Sequence, residues 1–111
     1  MSINRAIDKK YQQVQFESIV SSSLKQIENG ELEELMTSLR QGWDIDKLFL
    51  LKKATDKKIS KSENDYEETE DPDERLAIGK TISNMITLFI RILKVLNEKR
   101  AQNSDKKPNK V

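Results

Sequence analysis

Apolar residues recur every three or four positions over most of the chain, which is the period of an amphipathic α-helix rather than of a β-strand. The pattern predicts helices over residues 3–28, 31–41, 44–58 and 72–100. Residues 62–71 have almost no apolar content, and we predict that they form an acidic loop. The expected fold is all-α, a small bundle of about four helices with a long apolar C-terminal helix.

Residues that favour helix starts and helix stops stand where the apolar pattern changes. Gly30 suits the end of the first helix, because glycine tolerates the left-handed backbone conformation found there. Asp44 suits the start of the third helix, since its side chain can accept a backbone N–H. Asp71, Pro72 and Glu74 together form a capping box for the fourth helix. These local signals support the boundaries that the apolar pattern predicts.

Charge is sorted along the chain, although the formal net charge is only +1. The net charge is +5 over residues 47–61, −8 over residues 62–74 and +7 over residues 75–111. This distribution and the chain length fit a single domain over residues 1–100 followed by a disordered basic tail over residues 101–111. The acidic loop is either a solvated linker or an element that docks on a basic surface, including the chain's own lysines.

The fourth predicted helix is apolar around more than half of its circumference. Nine of the twelve residues from Met85 to Leu96 are apolar, whereas a helix at the edge of a bundle needs an apolar stripe only ~100° wide. Large apolar patches are uncommon on soluble monomers, so this excess indicates contact with a second chain. We predict self-association, with a dimer favoured, through Ile82, Met85, Ile86, Phe89, Ile90, Leu93 and Leu96.

Two alternatives stay open for this helix. It is either the central helix of a monomeric bundle or, in part, a groove-type site for a different protein.

The apolar stretch of this helix, twelve residues long, is shorter than the ~20 residues that span a membrane. No apolar run of signal-peptide length follows the N-terminus. We therefore expect a cytoplasmic protein without membrane association.

Composition excludes several classes of enzyme. The chain has no Cys and no His, which removes thiol nucleophiles, zinc sites of the Cys/His type and His-based catalytic triads. Glu28, Glu31 and Glu34 have a spacing that could hold Mg²⁺, but no facing helix offers matching carboxylates. We expect a non-catalytic protein–protein interaction, regulatory or adaptor module without a metal or cofactor.

Nucleic-acid binding is the alternative function. Residues 31–58 have the outline of a helix-turn-helix, and the second helix, residues 44–58, is rich in lysine. However, Asp44 and Asp46 would repel phosphates, and this helix lacks the Arg, Asn and Gln that best distinguish base edges. Lysine can still bind backbone phosphates without sequence specificity. The predicted contacts are Lys52, Lys53, Lys57, Lys58, Lys106 and Lys107.

Overall fold

The computed structural model describes the backbone of residues 2–106 and the side chains of residues 15–102. The described backbone contains no strand, so the predicted all-α class is confirmed. The predicted number of helices is also confirmed within this range. In chain order the helices are α1 (Ser2–Glu28), α2 (Leu32–Gly42), α3 (Ile45–Glu68) and α4 (Pro72–Lys106).

The turns on either side of α2 use the residues that the sequence indicates. Gly30 has a φ of 77°, and the N–H of Glu31 donates to the carbonyl of Gln26 at 2.8 Å. This is the hydrogen bond of a Schellman motif, which ends α1. At the start of α3, the carboxylate of Asp44 accepts the N–H of Lys47 at 2.8 Å. Both local predictions are confirmed.

The start of α4 has the Asp71 cap that the sequence predicts, which is one of the two hydrogen bonds of a capping box. The carboxylate of Asp71 accepts the N–H of Glu74 at 3.4 Å, and its carbonyl accepts the N–H of Arg75 at 2.9 Å. Pro72 occupies the first helical position, where its fixed φ suits a helix and its missing N–H costs nothing. The fourth helix therefore begins at the predicted residue.

The acidic segment is mostly helical, so the prediction of a loop over residues 62–71 is wrong for most of its length. α3 continues through it and leaves only residues 69–71 as the connection to α4. The ring of Tyr66 lies 4.5 Å from the guanidinium of Arg75 and also faces Gly79 on α4. Packing against a neighbouring helix stabilises helical structure more than propensity does, and here it outweighs the repulsion between acidic side chains.

A helical acidic segment cannot fold back over the lysines of its own helix. The lysines of residues 47–61 and the carboxylates that follow them belong to one rod, α3, of 24 residues. The hypothesis that the acidic loop masks these lysines is therefore wrong for this structure. The charges are instead separated along the helix, with a basic part followed by an acidic part.

α4 also extends past its predicted end. It continues to Lys106, so residues 101–106 are helical rather than a disordered tail. Ala101 and Gln102 favour helix, and the next helix-breaking residue in the sequence is Pro108. The rest of the predicted tail lies outside the described residues.

The core forms where all four helices meet. α3 and α4 pack as an antiparallel pair, and α1 and α2 pack against this pair. Each fully buried aliphatic side chain contributes about 1.5–3 kcal/mol of transfer free energy, so the following cluster is the main source of stability. Its members are Val20, Leu35, Met36, Leu39, Leu48, Leu51, Leu88, Ile92, Val95 and Leu96.

An ion pair joins α2 to the C-terminal part of α4. Arg40 Nε and Nη2 donate to the two carboxylate oxygens of Glu98 at 3.0 and 3.3 Å, and Lys99 Nζ donates to the carbonyl of Arg40 at 2.8 Å. The hydrogen bond from Arg40 lowers the pKa of Glu98, and the same hydrogen bond raises the pKa of Arg40. Both side chains are exposed, so the pair orients the helices more than it stabilises them.

Two glycines at helix ends are expected to respond oppositely to alanine. Gly30→Ala is expected to lower the free energy of unfolding by about 1–2 kcal/mol, because its positive φ is unfavourable for a residue with a Cβ. Gly42→Ala is expected to raise it by about 0.4–1 kcal/mol, because the chain there is helical and open space surrounds the position. Urea denaturation followed by circular dichroism measures both. Equal effects at the two positions would contradict the assigned end of α1.

Candidate oligomer interface

α4 carries two different apolar faces. The first is buried, and its residues Leu88, Ile92 and Val95 are 0 % exposed within the core cluster. The second lies about 120° further round the helix, as the helical period of 3.6 residues places it. We call this second face the apolar strip, and it consists of Ile82, Ile86, Phe89, Ile90 and Leu93.

The apolar strip is partly open to solvent. Ile86 is 44 % exposed and Ile90 is 55 % exposed, while Ile82, Phe89 and Leu93 are half-buried. Single exposed apolar residues are ordinary on soluble proteins, whereas a contiguous row of them marks an interaction surface. The strip contains five of the seven residues that the sequence predicts for assembly.

The other two predicted interface residues lie inside the chain. Met85 is 1 % exposed and Leu96 is 2 % exposed, and Leu96 belongs to the core cluster. Their positions round the helix adjoin the buried face rather than the centre of the apolar strip. The structure therefore corrects both residues from interface to interior.

α3 flanks the apolar strip and widens the open surface. Phe49 and Tyr66 on this helix are 38 % and 36 % exposed, and Ile59 is half-buried. The helical period places these three side chains on one side of α3, together with the charged Lys52 and Glu63. We call the apolar strip and these five residues of α3 the hairpin face.

A shallow groove of about 310 Å³ lies between α3 and α4 at one end of the hairpin face. It is lined by Glu63, Tyr66 and Glu67 of α3 and by Gly79 and Ile82 of α4. A Cβ added at Gly79 would meet the Tyr66 ring at 3.8 Å, so the groove has room for a methyl group at this position. Two carboxylates beside an aromatic ring suit a positively charged side chain.

A second groove, of about 270 Å³, lies where α1 meets the turn between α2 and α3. The rings of Phe16 and Trp43 in its wall lie 5.9 Å apart, and both side chains pack against the core cluster. It shares no residue with the hairpin face, and its aromatic pair joins α1 to the turn. Its lining residues are Gln15, Phe16, Ile19, Gly42, Trp43, Lys47 and Leu50.

Two of the predicted nucleic-acid contacts lie against an aromatic ring instead of projecting freely. Lys52 Nζ is 4.7 Å and Lys53 Nζ is 5.9 Å from the centroid of the Phe49 ring. At this distance a lysine ammonium is attracted to the face of the ring. Lys52 therefore belongs to the edge of the hairpin face, and Phe49 holds both lysines near it.

The remaining predicted nucleic-acid contacts do not form one cluster. Lys58 Nζ donates to the hydroxyl of Ser21 on α1 at 3.4 Å, whereas Lys57 is exposed on another side of α3. Lys106 is the last residue of α4, and Lys107 lies outside the described residues. Among the four of these lysines whose side chains the structure describes, Lys52, Lys53, Lys57 and Lys58, no single surface holds all.

The carboxylates in the described part of the chain are numerous but do not cluster as metal ligands do. Among these residues, no group of three or more Asp and Glu is arranged to hold a metal ion. The hairpin-face groove is open and has carboxylates on one wall only. The absence of a metal, a cofactor and a catalytic activity stays a prediction from the sequence.

α4 also satisfies a length and composition test for a membrane-spanning helix. The stretch Pro72–Gln102 contains an 18-residue window that is apolar enough, and 17 % of that window is buried. The core helix of a soluble protein passes the same test. The low buried share means that most residues of this window, apolar ones included, are not buried by the rest of the chain.

No protein-family model, no curated protein and no solved structure matches this chain. Its function is therefore inferred from the burial, charge and helix geometry of the chain itself.

Sequence reasoning missed the contribution of α3 to this surface. Glu63 and Tyr66 fall in the predicted acidic loop, and Gly79 receives no role from the pattern. One signal was available, because Ile59 and Tyr66 stand seven residues apart, which is the heptad spacing of an interhelical contact. Extending the helical period from Ile59 would have placed Tyr66 beside α4.

Proposed function

We propose that this chain is a non-catalytic protein–protein interaction module that self-associates through the apolar strip of α4. The observation that carries the proposal is the exposure of Ile86 and Ile90 within a continuous apolar row. A monomeric bundle with α4 at its centre would bury this row, whereas Ile86 and Ile90 stay exposed in the part of the chain whose side chains the structure describes. A second copy supplies the missing cover.

The shape of the molecule supports an uncovered side. Its radius of gyration is 16.8 Å, and its shortest extent is 22 Å. A compact chain of this length has a radius of gyration of about 13 Å, and two layers of helices are about 20 Å thick. The helices thus form an elongated, two-layered molecule, and among the residues whose side chains the structure describes, Ile86 and Ile90 of α4 remain exposed.

Nucleic-acid binding is the second candidate, and one observation favours it. Lys53, Lys57 and Lys61 follow one another at intervals of four on the exposed outer side of α3. α2 and α3 also keep the helix-turn-helix order, with Trp43 and Asp44 as the short turn. A row of exposed lysines can neutralise backbone phosphates.

The length of α3 weighs against this second candidate. The helix is 24 residues long, and its C-terminal part carries Glu63, Asp65, Glu67 and Glu68. A recognition helix lying in the major groove would bring these carboxylates close to phosphates. Its first turn carries Asp46, so both ends of the helix have the unfavourable sign.

The two functions are separated by measuring molar mass and the mobility of duplex DNA with one preparation at low and moderate salt. Self-association predicts a mass above 12.9 kDa at both salt concentrations, because apolar contacts are not screened, and no mobility shift. Nucleic-acid binding predicts a shift that weakens steeply with salt and that disappears when Lys53, Lys57 and Lys61 are replaced by alanine. A monomer of 12.9 kDa that gives this salt-dependent mobility shift would favour nucleic-acid binding.

A further inference from the structure

Charge on the α3 side of the hairpin face is separated into an acidic end and a basic end, and Arg75 of α4 lies over the Tyr66 ring at the acidic end. Glu63 and Glu67 stand at the end nearest the connection between α3 and α4, beside Tyr66. Lys52 stands near the other end with Lys53, and both ammonium groups lie against Phe49. The apolar strip occupies the middle, so this surface has a fixed polarity along the helix axes.

The contact between Tyr66 and Gly79 sets the register of α3 against α4. Both helices rise about 1.5 Å per residue, in opposite directions along the chain. Glu63 therefore lies level with Ile82, and Lys52 lies level with Leu93. The acidic and basic groups are thus placed at opposite ends of the apolar strip.

Two symmetric dimers can bury this face against a second copy. In one, the twofold axis runs parallel to the helices, and each end of the face meets the same end of the other subunit. In the other, the twofold axis is perpendicular to the helices. Each helix then packs antiparallel to the same helix of the partner, α4 on α4 and α3 on α3. The first dimer brings like charges together, whereas the second brings the acidic end of each face onto the basic end of the other.

We infer that the second copy binds antiparallel across the hairpin face, an inference that rests on the proposed self-association. With the axis near Ile86 and Phe89, Glu63 meets Lys52 of the partner subunit, and Tyr66 meets the partner's Phe49. The separations in sequence are equal on the two sides of the axis, so each contact occurs twice. On α3 the axis passes between positions 57 and 58, so Asp56 lies level with Ile59 of the partner subunit and one turn from the lysine at position 52 of its own chain.

The area available is close to the lower limit for a specific dimer. From the level of Phe49 to that of Tyr66 the face is about 26 Å long, and two helices side by side are about 20 Å wide. This is a flat area of about 500 Å², and the corrugated side-chain surface exceeds its flat projection. Specific interfaces begin at about 600 Å² per partner. The strip alone, on one helix, falls short of this area, which is why α3 belongs to the interface.

A charge swap tests the inference. Lys52→Glu and Glu63→Lys, each alone, are expected to raise the dimer dissociation constant by about tenfold or more, because each places two like-charged pairs in the interface. The double variant is expected to restore the dissociation constant of the unaltered chain. Lys57→Glu, on another side of α3, is the matched control and should leave it unchanged. Single variants that dimerise like the unaltered chain would overturn the antiparallel arrangement while leaving self-association intact.

A distance measurement provides a second, independent test. The chain has no cysteine, so Ala101→Cys carries a single spin label per subunit, beyond the end of the hairpin face. The antiparallel dimer predicts a distance of about 40 Å between labels, whereas the parallel-axis dimer predicts about 15 Å. The shorter distance would overturn the inference alone. A monomer would show no dipolar coupling between spin labels, and this result would overturn both the antiparallel arrangement and the proposed self-association.

Discussion

Replacing Leu88 with alanine is expected to lower the free energy of unfolding by about 2–5 kcal/mol. Leu88 is 0 % exposed and belongs to the cluster that joins α4 to the other helices. The truncation removes transfer free energy and leaves a cavity that the surrounding side chains fill only in part. Domains of this size are stable by about 5–15 kcal/mol, so the loss is a large share of the total. Urea denaturation at a fixed protein concentration measures it.

Leu76→Ala is the matched control for this truncation. Leu76 stands on the same helix with the same side chain, but it is 63 % exposed and lies outside the apolar strip. Its replacement is expected to change the free energy of unfolding by no more than about 0.5 kcal/mol. Similar losses at both positions would contradict the assignment of one face of α4 to the interior.

Replacing Ile86 with aspartate is expected to convert the proposed dimer to a monomer while the helices stay formed. Ile86 is 44 % exposed in the single chain, so a carboxylate there keeps access to water until a second copy covers it. Burying the two symmetry-related carboxylates without partners costs several kcal/mol, because a charge moved from water into an apolar contact loses its hydration. The dissociation constant is therefore expected to rise by about 100-fold or more.

Molar mass by light scattering and helicity by circular dichroism, measured together, check this second prediction. Leu76→Asp is its control, since it adds the same charge to the same helix away from the strip, and it should remain dimeric. Phe89→Asp is expected to dissociate the dimer as well, but Phe89 is half-buried and its replacement also destabilises the single chain. An Ile86→Asp variant with unchanged mass would show that the strip is not the interface.

Helix positions were predictable from the sequence because the deciding interactions are local. The cap at Asp44, the capping box at Asp71 and the left-handed turn at Gly30 each involve residues within five positions of one another. Each is expressed in residue types that favour one backbone conformation. The boundaries that rest on such signals are confirmed by the structure to within a few residues.

The acidic segment was mispredicted because its helix depends on a contact with α4. Nothing in the local composition of residues 62–68 favours packing except Tyr66, and its partners Arg75 and Gly79 are on the following helix. Tertiary packing overrides local propensity in such cases. The C-terminal extension of α4 has a different cause, since polar residues without a breaker can continue a helix that is already formed.

Two residues of the predicted interface lie inside the chain because periodicity groups residues by face without saying what each face meets. Met85 and Leu96 share a heptad seam with Phe89, yet they lie inside the chain while Ile86 and Ile90 lie outside. The position of α1 and α2 decides which side of α4 is covered, and that position depends on long-range packing. The sequence thus indicates that α4 has more apolar surface than a helix at the edge of a bundle needs, and the structure shows that the exposed part of it is at Ile86 and Ile90.

Sedimentation equilibrium of the unaltered chain over a hundredfold dilution tests self-association most directly. We predict a molar mass of twice 12.9 kDa at high concentration, with a reversible fall toward 12.9 kDa on dilution. The Ile86→Asp variant, measured beside it, should stay at the lower mass throughout. A mass of 12.9 kDa for the unaltered chain at every concentration would contradict the proposed function.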